Sequence, residues 1–140
     1  MQSIVKDMLI TRVNNAAAGA QTEVLTSVLD MAGYDCVIFI ALLGTVTDAS
    51  VLTLTVKSNP TSSTSNGTTE KAGTATTAST SSNKTMAVEV HKPTQRYVFG
   101  SFTRTAQNAA LDGILAIQFN SRSMPQTQTI LDAVLGGPNA

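Results

Sequence analysis

Apolar and polar residues alternate in several short runs of this 140-residue chain. In the run 51–58, Leu52, Leu54 and Val56 point to one side while threonine and lysine point to the other, which is the period of a half-buried strand. The same period returns in TMAVEVH (85–91), QRYVFGSFT (95–103) and GILAIQF (113–119). We therefore expect several strands, each with one face on a core.

The run CVIFIALL at 36–43 is apolar at every position. It is short for a helix and rich in Val, Ile and Phe, and it predicts a central strand covered on both faces. Turn-forming Gly, Pro, Asn and Asp residues separate the runs at short intervals. About six to eight short strands separated in this way indicate an all-β fold, either an antiparallel β-sandwich or a barrel.

A polar and nearly uncharged segment, 58–82, interrupts these runs. Neither flank holds enough alternating strands to close a core alone, so one fold must bridge the segment. Asn66-Gly67 predicts a tight hairpin turn with positive φ at both residues, and the threonines that follow predict an exposed edge strand. The expected organisation is an N-terminal arm or edge strand, a β-sandwich domain and a C-terminal arm, at 1–20, 21–122 and 123–140.

The C-terminal residues carry the clearest helical pattern. Thr129 can cap a helix with Asp132 three residues later, and GGP at 136–138 ends it. So short a helix is marginal alone and must dock, either on its own domain or as an arm on a neighbouring subunit. Its apolar side, which we expect to bind a partner, consists of Ile130, Leu131, Val134 and Leu135.

Few residues of the chain suit catalysis. His91 is the only histidine, so any Ser-His-Asp or Cys-His site would depend on it. It shares a strand face with Glu89 and precedes a turn at Pro93, as a surface histidine does. Cys36 is the only cysteine and lies in the apolar run, where a free thiol behaves as a small hydrophobic residue. We expect no enzyme and no catalytic residue.

Metal and modification sites are also weakly supported. Asp30, Asp35 and Asp48 flank the buried strand, and loop carboxylates of this kind can bind calcium. Their spacing lacks the alternation of a calcium motif, so we expect them to form turns and expect no metal or cofactor. The N-x-T triplets at Asn66 and Asn83 match a glycosylation sequence, which chance explains in a threonine-rich chain.

Charge argues against nucleic acid and membrane as partners. Nine basic and nine acidic residues give no net charge and form no basic patch for phosphates. The N-terminal residues lack the apolar core of a signal peptide, and the run 36–43 is far shorter than the roughly 20 residues of a membrane helix. A neutral surface rich in Thr, Ser and Asn favours association with other protein.

The aromatic side chains of the predicted strands are expected in the core. They are Phe39, Tyr97, Phe99, Phe102 and Phe119. Aromatic residues make up only 4% of the chain, so few remain to stack on sugars or bases.

Three patterns mark strand starts and turns: DxxGYDxVxF, GxxxDAS and RYV. Together, the segments 28–59 and 95–122 that contain them resemble a family of small virion proteins of tailed phages, closest to the head cement or decoration proteins of short-tailed phages. The tip VKSNPTSSTSNG departs from the charged turn of that family, so the family predicts nothing about this surface. The matching positions are Asp30, Gly33, Tyr34, Asp35, Val37, Phe39, Gly44, Asp48, Ala49, Ser50, Arg96, Tyr97 and Val98.

The resemblance implies a β-sandwich of jelly-roll type on the outside of an icosahedral capsid. It implies a non-enzymatic protein made in the bacterial cytoplasm, with the major capsid protein and further copies of itself as partners. Such a protein stabilises the assembled shell by binding it in preference to the dissociated subunits. The alternative is a module of a phage tail or fibre that recognises a host glycan, which a groove lined by Tyr97 or a phenylalanine would favour.

Overall fold

The computed structural model describes residues 3–121, which form ten strands and one short helix. The elements are α1 (Ile4–Asp7), β1 (Leu9–Asn14), β2 (Ala17–Ala20), β3 (Val24–Leu25), β4 (Leu29–Asp30), β5 (Tyr34–Val46), β6 (Val51–Asn59), β7 (Thr68–Thr76), β8 (Thr85–His91), β9 (Tyr97–Thr105) and β10 (Ala109–Ser121). Ser3 caps α1, because its side chain accepts a hydrogen bond from the Lys6 backbone. No helix in this part of the chain is long and apolar enough to cross a membrane.

The strands form two antiparallel sheets. Sheet A has the order β1-β10-β5-β8, with β2 also paired to β10, and sheet B has the order β3-β9-β6-β7, with β4 also paired to β9. The predicted antiparallel β-sandwich is confirmed. The jelly-roll type stays an expectation. The strand order agrees with it, because most of the connections from β4 onward cross between the two sheets, the β6–β7 hairpin excepted. The predicted C-terminal helix lies outside the described residues.

The core lies between the inner faces of the two sheets. Leu52, Leu54 and Val56 are fully buried there, as the alternation in 51–58 predicts. Val88 and Val90 on β8 contribute from the opposite sheet, again with the predicted side inward. From the central strands the core receives Val37, Phe39, Ala41, Val98, Phe102, Ile114 and Ala116.

One core position of β9 holds a charge that the sequence did not lead us to expect. Arg104 is only 2% exposed, and none of its hydrogen bonds within residues 3–121 goes to a carboxylate. Its guanidinium donates to the backbone oxygens of Ala18 (2.8 Å), Thr22 (3.0 Å) and Ala109 (2.7 Å), and to the Thr22 hydroxyl (2.8 Å). Burial lowers the pKa of Arg104 from its ordinary value. This side chain joins the segment after β2 to the start of β10.

Two expectations about buried faces need correction. The run 36–43 is a central strand of sheet A, but within residues 3–121 no second layer covers its outer face, and Leu42 is 38% exposed there. The core prediction holds for Phe39 and Phe102, and Phe99 is buried as predicted but outside the main core cluster, whereas the prediction is wrong for Tyr97 and Phe119. Tyr97, Phe99 and Phe119 all point to the outer faces of their sheets. The inward positions of β9 and β10 are held by the residues next to them in sequence.

The polar segment after β6 folds back onto sheet B. The hairpin predicted to turn near Asn66-Gly67 is confirmed, since β6 and β7 pair antiparallel. The turn itself is not a tight one, because the connection spans 60–67 and, of these two residues, only Asn66 has positive φ, at 55°. Asn59 orders the loop by accepting from the Thr61 backbone (3.1 Å) and donating to the Ser65 carbonyl (2.6 Å). The strand that follows, β7, is an exposed edge strand as predicted.

Phe99 is buried under this loop instead of in the core. It is 1% exposed, and its ring contacts Gly67 so closely that a Cβ at this glycine would lie 2.6 Å from the ring. Lys57, the cross-strand neighbour of Phe99, also faces this contact. The threonine-rich loop is therefore a cover for an aromatic residue.

Candidate interaction surfaces

Two of the sequence motifs meet at one corner of the sandwich. Asp30 ends β4 and lies opposite Tyr97 on β9. Its carboxylate accepts from both Nε (2.9 Å) and Nη2 (2.8 Å) of Arg96, a two-point contact that fits the planar guanidinium. The Arg96 guanidinium carbon lies 5.2 Å from the centre of the Tyr97 ring. The DxxGYD and RYV patterns, 66 residues apart at this pair, thus form one structural unit.

A shallow depression of about 730 Å³ opens beside this corner. Its walls are formed by residues 31–35, which include the start of β5, and by the turn 92–96 before β9. Tyr34 is the aromatic residue in the wall, and burial raises its pKa above the ordinary value of 10.0. Charged groups from Asp35, Lys92 and Arg96 surround it, so the depression is polar. Neither Tyr97 nor a phenylalanine is among the lining residues.

A carboxylate on β7 fixes the second turn of this corner. Glu70 Oε1 accepts from the Ser58 hydroxyl (2.5 Å), the Thr94 backbone (2.9 Å) and the Thr94 hydroxyl (2.5 Å). Burial would raise the pKa of Glu70, but these hydrogen bonds favour the ionised form and hold the pKa below its ordinary value of 4.5. Glu70 therefore joins the threonine-rich edge strand to the turn that carries Arg96.

Acid should weaken this corner. The hydrogen bond from Arg96 also holds the pKa of Asp30 below its ordinary value of 3.8. A carboxylate with a depressed pKa in the folded state stabilises the fold above its unfolded pKa, and the contribution is lost as pH falls through the folded pKa. We expect the urea midpoint to be constant above about pH 5.5 and to fall below about pH 4.5. Asp30→Asn combined with Glu70→Gln should flatten this fall, and an unchanged slope would contradict the assignment.

The outer face of sheet A is a second candidate surface. Cross-strand pairing arranges its side chains in rows: Ile117 beside Ile38 and Glu89, then Leu115 beside Ile40 and Ala87. Phe119, Cys36 and His91 form the next row, and Leu42 lies beside Gly113 at the other end. The large aliphatic side chains of β5 and β10 on this face are half-buried or exposed. An apolar sheet face of this kind is typical of a protein contact.

The outer face of sheet B has a different chemistry. Thr53 lies between Thr74 and Thr103, and the Thr53 and Thr74 hydroxyls are 3.1 Å apart. Hydroxyl side chains occupy further outward positions of β6, β7 and β9, and they include Thr55, Thr76, Ser101 and Thr105. This face is therefore more polar than the outer face of sheet A.

His91, Glu89 and Cys36 are neighbours on sheet A. His91 Nε2 lies 2.5 Å from Glu89 Oε1, and Cys36 is the cross-strand neighbour of His91. The His91 side chain is 67% exposed, which confirms a surface histidine. Burial raises the pKa of Cys36, and the carboxylates of Asp35 and Glu89 raise it further. A nucleophilic cysteine needs the opposite shift, so this trio lacks an activated thiol.

Of the three aspartates considered as calcium ligands, Asp30 and Asp48 form turns as predicted, whereas Asp35 lies in β5 and contacts β10. Asp30 accepts from the Ala32 backbone (2.9 Å), Asp48 from the Ala49 backbone (3.0 Å), and Asp35 from the Asn120 amide (3.2 Å). Among residues 3–121, no three His, Cys, Asp or Glu side chains lie close enough together to hold a metal ion. The predicted partner-binding residues Ile130, Leu131, Val134 and Leu135 lie outside the described part of the chain.

The sandwich is similar to domains of several proteins of known structure. No protein-family model and no curated protein matches the sequence. A protein of the disulfide-linked pili of Bacillus endospore appendages has a TM-score of 0.51 at 13% identity, covering 81% of this chain and 88% of its own. The PBSX exported protein XepA has a TM-score of 0.57 at 14% identity, covering 99% and 46%.

A protein of infectious bursal disease virus, strain Gx, has a TM-score of 0.50 at 11% identity, covering 86% of this chain and 34% of its own. This chain therefore spans less than half the length of XepA and about a third of the viral protein. At such identities the likeness is one of fold: this chain is a β-sandwich of a kind found also in an endospore appendage protein, in an exported protein and in a viral protein.

Proposed function

We propose that this protein is a non-enzymatic virion structural protein that binds the outside of an icosahedral phage capsid and bridges subunits of the major capsid protein. The observation that carries the proposal is the corner formed by Asp30 and Arg96. The phage-head resemblance rests on patterns that are distant in sequence, and these patterns meet in one ion-paired unit. If the two patterns resembled the phage family only by chance, there would be no reason for them to contact each other in the fold.

The chemistry of the surface supports the same proposal. The apolar outer face of sheet A calls for a protein contact, since water solvates aliphatic side chains poorly. Zero net charge favours close packing among many copies. Binding to the assembled shell, and not to free subunits, stabilises the shell by the free energy of binding, and contacts to several subunits add avidity.

Purified virions test this proposal directly. We expect the protein to co-purify with virions at a copy number comparable to that of the major capsid protein. The recombinant protein should co-sediment with shells that lack it and should raise the temperature at which they disrupt. A few copies per virion would instead indicate a tail, and no association with particles would overturn the virion role.

The C-terminal segment is the proposed attachment arm. Deleting residues 125–140 should leave the far-UV circular dichroism of the sandwich unchanged but weaken co-sedimentation with shells at least about tenfold, because the apolar side of the arm is lost. Its contact residues would be Ile130, Leu131, Val134 and Leu135. A quadruple serine substitution of these residues provides the matched variant of full length. Full occupancy of shells by the truncated protein would contradict the arm.

The depression beside Tyr34 supports a second candidate, a tail or fibre module that recognises a host glycan. A tyrosine ring flanked by Asp35, Lys92 and Arg96 offers stacking together with hydrogen bonds. Tyr97 and the phenylalanines, which were expected from the sequence to line a glycan groove, do not line this depression. Binding of host-surface polysaccharide that Tyr34→Ala abolishes, together with a low copy number per virion, would favour this candidate over the capsid role.

A further inference from the structure

We propose that the outer face of sheet A is a self-complementary interface, through which two copies of this protein pair about a two-fold axis that runs parallel to β10 and β5. The inference goes beyond the proposed function, because such a dimer forms without a shell. It rests on three features of this face: the order of its rows, a protruding side chain beside a pit, and opposite charges at opposite edges.

The order of the strands determines what meets across such an axis. An axis between β10 and β5 places β10 of one copy over β5 of the second, and β1 over β8, while each row stays level with itself. Leu115 then faces Ile40 of the second copy, and Ile117 faces Ile38. Two sheets packed with strands aligned to within about 30° bury such rows against each other. The pairing is reciprocal, as a two-fold interface requires.

A knob and a hole lie in the same row. Leu42 is the most exposed large apolar side chain of this face, at 38%. Its cross-strand neighbour is Gly113, which has no side chain and forms part of a pit of about 230 Å³. Leu42 itself lines this pit, together with Arg12, Asp112, Ile114 and Leu115. The two-fold operation carries Leu42 of each copy over Gly113 of the other. The protruding residue and the pit thus exchange places across the axis.

The edges of the face carry opposite charges. Arg12 lies on β1, in the row of Leu115, and Ala87 occupies the β8 end of the same row. Glu89 is two residues from Ala87 on β8, on the same face. The operation that brings β1 over β8 sets Arg12 of one copy over Ala87 of the second, one row from Glu89 and within reach of an extended arginine side chain, and does so twice. A two-fold axis in the plane of the interface but perpendicular to the strands would instead bring Arg12 of one copy towards Arg12 of the second.

The size of the face sets the expected affinity. Four strands about 4.8 Å apart, followed over six residues of about 3.4 Å, span about 400 Å² per copy. A stable dimer commonly buries about 800 Å² per partner. We therefore expect a concentration-dependent dimer, populated between about 10 μM and 1 mM. Neighbouring sites on a shell would raise the local concentration into this range.

Sedimentation equilibrium of the full-length protein over this range tests the interface. Leu42→Lys should weaken the dimer at least about tenfold, because its ammonium then enters the contact beside the Arg12 guanidinium that lines the pit. The matched control is Leu25→Lys on sheet B, since Leu25 is 43% exposed but lies away from this face. The control should dimerise as the unmodified chain does. Circular dichroism establishes that each variant is folded.

Charge reversal tests the symmetry. Arg12→Glu and Glu89→Arg should each weaken the dimer several-fold, and the double variant should restore it. Restoration distinguishes the proposed axis from any other packing of the same face. A chain that stays monomeric at 1 mM, an unaffected Leu42→Lys dimer, or a double variant weaker than both single variants would each overturn the inference. The readout is independent of shells, so failure of the capsid role leaves it unchanged.

Discussion

Replacing Arg104 by methionine should lower the free energy of unfolding by about 3 kcal/mol. Methionine fills a similar volume, but the oxygens of Ala18, Thr22 and Ala109 lose their donor. Ala109 is fully buried, so its carbonyl has no access to water as a replacement. Urea denaturation followed by circular dichroism measures the change. The midpoint should fall without a change in the folded spectrum.

Two further variants separate this effect from the removal of a positive charge. Arg12→Met removes an exposed arginine and should change stability by less than about 0.5 kcal/mol. Arg104→Lys keeps the charge but lacks the planar fork, so it should recover only part of the loss. A methionine variant as stable as the unmodified chain would show that the three oxygens find other donors.

Replacing Gly67 by alanine should cost about 1 to 3 kcal/mol. The added methyl group would lie 2.6 Å from the ring of Phe99, which the loop covers on its outer side. Either the ring or the loop 60–67 must move, and both are held by neighbouring contacts. Thermal unfolding and limited proteolysis of the loop measure the result.

A double-mutant cycle with Phe99→Leu assigns the cause. The smaller side chain leaves room for the methyl group, so Gly67→Ala should cost much less in that background. The matched control is Gly19→Ala, where an added Cβ meets no atom within 4 Å. Equal costs in both backgrounds would mean that the Gly67–Phe99 contact does not limit the loop.

The alternation of residues predicted strands well wherever one face meets the core and the other meets water. This holds for β6 and β8, whose buried sides were read correctly. It failed to assign the inner side of β9 and β10, because Phe99 lies under a loop and Phe119 lies on the apolar outer face. Apolar residues that lie under a loop, or on a face that contacts another protein, produce the same local sequence pattern as residues of the core. Only the pairing of distant strands distinguishes them.

The candidate surfaces were predictable only in their parts. Asp30 and Arg96 each belonged to a recognised pattern, but their ion pair depends on β4 and β9 being neighbours. Glu70 and Arg104 gave no signal, since a glutamate in a threonine-rich strand and an arginine after an aromatic run look like surface residues. Arg104 contacts mostly backbone oxygens, and Glu70 contacts one backbone N–H and two hydroxyl groups, which a threonine-rich sequence offers at many positions. Such contacts follow from topology and not from residue type.

The position of β10 has a consequence for the order of folding. It is the last described strand in sequence, yet it occupies the interior of sheet A, between β1 and β5. A ribosome would have to release residues as far as Ser121 before β1 finds its partner, while β5 and β8 can pair earlier. Strand pairings between such distant segments are slow to form. In a nascent chain β1 would therefore stay unpaired until β10 has been synthesised. The sandwich would close only after that point.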